Sequence, residues 1–115
     1  MGTGTNAACI CESSEIKKQG FPPNFPQYMI INTEISIMGS DFLPRTKYDK
    51  ILDSQSSIPG FQPFEKMVSG LYLGELVRLA IVDYVENFNL FGGKLPKGME
   101  IPYNFSVVQM SSIER

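Results

Sequence analysis

The sequence predicts an α/β arrangement, with two short strands followed by one long helix, and three stretches carry that reading. NAACIC at 6–11 is small and apolar behind a Gly-Thr-Gly-Thr turn, as a strand leaving a tight turn would be. YMIINTE at 28–34 is a continuous apolar run closed by polar residues, the pattern of a buried strand that delivers Asn32, Thr33 and Glu34 at its C-terminal end. PFEKMVSGLYLGELVRLAIVDYVENF at 63–88 opens with a proline suited to a first helical turn and keeps apolar residues at helical spacing throughout.

Between these elements the punctuation is clear. SSEIKKQGFPPNFPQ at 13–27 carries a glycine and three prolines and reads as a surface connection. Residues 35–63 are expected to be irregular, with one short helix around Lys47 to Ser54. The apolar residues of 63–88 run from Phe64 to Phe88 around most of the circumference, which predicts a single helix buried on most sides. Gly70 and Gly74 each cost about 1 kcal/mol against alanine in a helix interior, so close approach of another backbone is expected there. Gly92 and Gly93 follow the helix end, and Pro96 and Pro102 discourage its continuation. The tail PYNFSVVQMSSIER shows no periodicity, and the chain has no internal repeat.

Composition narrows the function classes. The chain has 115 residues, 43% of them hydrophobic and 19% charged, which fits one soluble globular domain or part of one. A net charge of -2 gives no basic face for nucleic acid. No uncharged apolar run approaches the roughly 18 residues of a membrane span, and the N-terminus lacks a secretory pattern, so a cytoplasmic protein is expected. Cys9 and Cys11 lie two apart, which on a strand puts both on one face, adjacent along the chain and poorly placed for a disulfide. Without histidine, a His-based triad or a structural zinc centre is out of reach.

Candidate chemistry gathers at a few polar residues. Gly2-Thr3-Gly4-Thr5 can present backbone N–H groups and two hydroxyls to a phosphate, because glycine lets a ligand approach the backbone closely. Asn6 offers an amide donor and a carbonyl acceptor. Glu34 ends the second strand and Glu65 lies in the first turn of the helix, where an anion also suits the helix dipole. Singly, each residue has an ordinary structural role. Together, two carboxylates and an amide suit the neighbouring hydroxyls of a polyol, beside a turn that faces a phosphate donor.

GTGTNAA, MIINTE, LPRTKYD, PGFQPFEKMVSGLYLGELVRLAIVD and PYNFSVVQMSSIE, in this order, closely resemble the later part of eukaryotic hexokinases and glucokinases, fungal ones especially. The resemblance spans nearly the whole chain. It implies an incomplete piece of the actin-like, ribonuclease-H-like large lobe over 1–115, one that begins mid-domain. The activity implied is ATP-dependent transfer of a phosphoryl group to the 6-hydroxyl of glucose or a related hexose, with Mg2+. By the same resemblance Thr3 and Gly4 match the turn that contacts ATP phosphates, and Asn6, Glu34 and Glu65 match the positions that hydrogen-bond the sugar.

The family's E-W-G-x-F after its strand-end glutamate is replaced here by Glu34-Ile35-Ser36-Ile37-Met38. The resemblance also puts the catalytic base upstream and the adenosine-binding segment downstream of these residues, so no catalytic residue and no metal ligand is assigned on this chain. The isolated chain is expected to be inactive. A non-catalytic remnant that binds sugar weakly, or associates through an exposed helix face around Leu71, Tyr72, Leu76 and Leu79, is the alternative.

Overall fold

The structure is a computed structural model that describes residues 4–17, 22 and 24–113. These fall into two compact units, Asn6–Ile35 and the remainder.

The smaller unit is an antiparallel ribbon of β1 (Ala8–Glu12) and β2 (Tyr28–Asn32), in a register that pairs Ala8 with Asn32 and Ile10 with Ile30. The ladder is prolonged at both ends, by Thr33 N–H to the Ala7 carbonyl at 3.0 Å and by Ser13 N–H to the Gln27 carbonyl at 2.9 Å. The expectation of a buried second strand does not hold. Tyr28 and Ile30 are 54% and 75% exposed, and Ile10, opposite Ile30, is 72% exposed. Side chains of a strand alternate between two faces, and these three share the more exposed face of the ribbon. Met29, Ile31 and Cys11, on the other face, are half-buried.

The larger unit contains α1 (Lys47–Gln55), α2 (Pro63–Val68), α3 (Gly70–Phe88) and α4 (Val107–Ile113). Helix α1 matches the short helix expected, and it begins with a capping box: the Thr46 hydroxyl accepts from Asp49 N–H, while the Asp49 carboxylate accepts from Thr46 N–H at 2.7 Å. Asp53 near its end gathers Arg45 at 3.0 Å, Lys66 at 2.6 Å and Gly60 N–H at 3.0 Å, which ties α1 to the following loop and to α2. Burial pushes the Asp53 carboxyl upward, but the bonds from Lys66, Gly60 and Arg45 outweigh it and hold its pKa below the usual carboxylate value.

The single helix expected over 63–88 is two helices. Ser69 takes an extended conformation, with ψ 151, and is fully buried. Its N–H closes on the Glu65 carbonyl at 2.9 Å, ending α2, and its carbonyl accepts from Tyr72 and Leu73, starting α3. A Ser-Gly pair is one of the ordinary causes of a sharp break. Nor is the helix buried nearly all round. Val85 is the deeply buried apolar residue of α3, whereas Leu71, Tyr84 and Phe88 are half or more exposed.

Beside Val85, the deepest face of α3 carries a polar pair. Glu75 and Arg78 are 2% and 6% exposed and pair twice, Arg78 Nε and Nη2 each donating to the Glu75 carboxylate at 2.7 Å. Arg78 Nη1 also donates to the Met99 carbonyl at 2.6 Å, and the Glu75 carboxylate accepts from Tyr103 N–H at 2.6 Å, so the pair draws the segment after α3 back onto the helix. Gly74 makes that return possible: a Cβ there would stand 2.0 Å from the Phe105 carbonyl oxygen. The close approach expected from the sequence is real at this position.

Helix α3 ends at Asn89, which is left-handed at φ 58. Helix α4 lies in the tail read as aperiodic. Ser106 starts it with a second capping box, its N–H donating to Gln109 Oε1 at 2.7 Å and its hydroxyl accepting from Gln109 N–H. Among the described residues no helix is long and apolar enough to cross a membrane.

Candidate functional site

Gly4, Thr5 and Glu65 meet in the larger unit. Glu65 sits in the first turn of α2, positioned by Pro63 at the helix start, and its Oε2 accepts from Thr5 N–H at 2.9 Å. The backbone of Gly4 passes so close that an added Cβ would lie 3.1 Å from the same oxygen. A side chain at this position would press on the carboxylate, which would have to yield by a few tenths of an ångström. Beside it the Thr5 hydroxyl is buried and has no hydrogen-bond partner in the described structure. Thr3 lies outside the described residues.

Asn6 and Glu34 meet in the ribbon unit through a residue that the sequence reading placed at a strand end without a role. Asn6 Nδ2 donates to Asn32 Oδ1 at 2.6 Å, and Asn32 Nδ2 donates to Glu34 Oε1. Asn6 is held in turn by Ala7 N–H donating to its Oδ1 at 2.9 Å. All three members of this Asn6, Asn32 and Glu34 chain are exposed. Only the ladder register reveals the role of Asn32: it lies two residues before Glu34, and its partner across the ladder, Ala8, is two residues after Asn6. Glu34 itself is left-handed at φ 48 and is followed by a tight 3-10 turn over Ile35–Ile37, where the residues depart from E-W-G-x-F.

In the ribbon unit, amides aligned with a carboxylate can hold hydroxyl groups of both donor and acceptor character; in the larger unit, by itself, a carboxylate fixed by a backbone N–H can accept from a hydroxyl. Among the described residues no group of three or more histidines, cysteines or carboxylates could hold a metal ion.

The fold is that of a known class. The chain superposes on the hexokinase of Schistosoma mansoni complexed with glucose with a TM-score of 0.86 and 41% identity, over 99% of this chain and 26% of that one. It is thus a mixed strand and helix piece of the actin-like ATPase fold. The sequence profile described as Hexokinase matches residues 1–115, and this chain belongs to the hexokinase family. Relatives include Hexokinase-1 of Spinacia oleracea, 41% identical over 98% of this chain, and Hexokinase-2 of Oryza sativa subsp. japonica, 39% identical over 96%. The chain spans 23% and 22% of those two proteins, about a quarter of their length.

Proposed function

We propose that this chain supplies part of the sugar- and phosphate-binding site of an ATP-dependent hexose 6-phosphotransferase. The observation that carries the reading is the bond from Thr5 N–H to Glu65, which makes the turn assigned to ATP phosphate and a carboxylate assigned to sugar one hydrogen-bonded unit. A carboxylate has roughly four lone-pair positions, and Thr5 takes one of them, which leaves the others to accept from a ligand. By the resemblance Asn6 and Glu34 are sugar positions too, and within the ribbon unit Asn32 aligns them with each other. Glucose in the Schistosoma mansoni relative supports a hexose as the substrate class.

ATP fits the turn chemically. Thr3 and Gly4 would take its phosphates, and the Thr5 hydroxyl, unpartnered among the described residues, is a further donor beside them. ATP supplies the transferred group, and Mg2+, which binds largely through substrate phosphates, offsets its charge. This chain's residues bind and orient. Phosphoryl transfer depends almost wholly on positioning and electrostatic stabilisation, so a polypeptide of these 115 residues alone, without the catalytic base, turns over negligibly.

Two measurements test this. Calorimetry of the chain with glucose is expected to give heat that disappears in Glu65→Ala, and equal heats for both proteins would overturn the site. A coupled glucose-6-phosphate assay is expected to stay at background. Turnover in the ordinary enzyme range of about 1–1000 s⁻¹ would refute the inactivity of the isolated chain.

A further inference from the structure

Strand β1 carries Cys9 and Cys11 on one face of the ribbon, as free thiols with their sulfurs 3.7 Å apart. Met29 stands directly opposite Cys11 in the ladder, so its thioether shares that face. Three sulfur donors of two kinds thus occupy one face of a ribbon whose backbone is fixed by pairing on both strands.

A disulfide is the wrong closure for this pair. Its sulfurs would have to come to about 2.05 Å, while side chains two apart on one strand project side by side. A single metal atom spans the gap without backbone movement: two bonds of about 2.3 Å, the zinc-thiolate length, would meet across it at roughly 107°. Thiolates with a thioether as third donor select soft cations over hard ones.

We propose that Cys9, Cys11 and Met29 form a binding site for one soft, thiophilic d10 cation of the copper(I) class, for which cadmium(II) is a convenient probe. Binding forms two metal–thiolate bonds and releases the two thiol protons to solvent. No electron changes hands. Asn6, Asn32 and Glu34 are bonded to one another, and none of the sulfurs takes part in those bonds.

The reduced chain, titrated with cadmium chloride under anaerobic conditions, is expected to develop ultraviolet sulfur-to-metal charge-transfer absorption that saturates at one equivalent per chain. Cys9→Ser and Cys11→Ser are each expected to weaken binding by about 100-fold, since losing either thiolate removes the effective concentration that two-point attachment provides. Met29→Leu weakens it less. Absence of the absorption, saturation at half an equivalent, or undiminished affinity in any of the three variants would overturn the proposal. A maleimide protection assay reads the same site without spectroscopy of the metal: bound cadmium should shield both thiols together, and shielding of one alone would overturn the chelate.

Discussion

At the scale of single residues, the most consequential choice in this chain is a buried ion pair on a helix expected to be apolar around most of its circumference. Arg78 satisfies three acceptor contacts, two to Glu75 and one to the Met99 carbonyl, and the Glu75 hydrogen bonds raise its already high proton affinity further. A buried pair of this kind gives little net stability over a well-packed apolar pair, but breaking it strands a charge. Arg78→Met is therefore expected to cost about 3–5 kcal/mol, read as a fall in the urea midpoint. Replacing both residues with methionine is expected to cost clearly less than the two single losses added together. A double variant as damaging as that sum would show that Glu75 and Arg78 act separately.

At the scale of elements, Gly74 decides how the chain folds back on α3. Alanine there brings a Cβ to 2.0 Å from the Phe105 carbonyl oxygen and 3.0 Å from its carbon, and both atoms are backbone. Helix propensity would favour alanine by about 1 kcal/mol, yet the clash forces helix and return segment apart, an overpacking loss of about 1–3 kcal/mol or more. Gly74→Ala is expected to lower the melting temperature, and a raised one would contradict the contact. This glycine was legible in the sequence because a glycine inside an apolar helix needs a reason. The break at Ser69 was not, since the apolar spacing runs through Val68 and Leu71 without interruption and only the Ser-Gly pair marks it. Helix α4 is not legible in apolar periodicity, because its run is short and irregular and its signal is the Ser106 to Gln109 capping box. Among the candidate residues, Glu65, Glu34 and Asn6 could be singled out by type and position, while Asn32 became visible only once the strand register set it between Asn6 and Glu34.

At the scale of the whole molecule, the described apolar core is small, with Leu52, Val85 and Phe105 its deeply buried members, while Phe88, Phe91, Val108 and Ile113 remain largely exposed. Connections between helices of the larger unit consequently lean on carboxylates. Asp53 holds Lys66 of α2, and Asp83 of α3 accepts from Lys47 at 2.6 Å and from the Tyr48 hydroxyl at 2.8 Å, both on α1. Hydrogen bonds from Lys47 and Tyr48 hold the Asp83 carboxyl below its usual value, as the bonds from Lys66, Gly60 and Arg45 do for Asp53 against the opposing effect of burial. A carboxyl whose folded pKa is depressed stabilises the fold fully above its unfolded value, about 3.9 for aspartate, and loses that contribution as pH falls through the lower folded value. Stability is therefore expected to be flat from neutral pH down to about pH 5 and to decline below about pH 4. Melting temperatures recorded between pH 7 and pH 2.5 test this, with Asp53→Asn as the comparison. That variant begins less stable at pH 7, because Lys66 is buried and loses its charged partner, and its acid decline should be shallower than that of the parent chain. Parallel declines would mean that Asp53 does not set the acid limit and that the link between α1 and α2 holds without its charge.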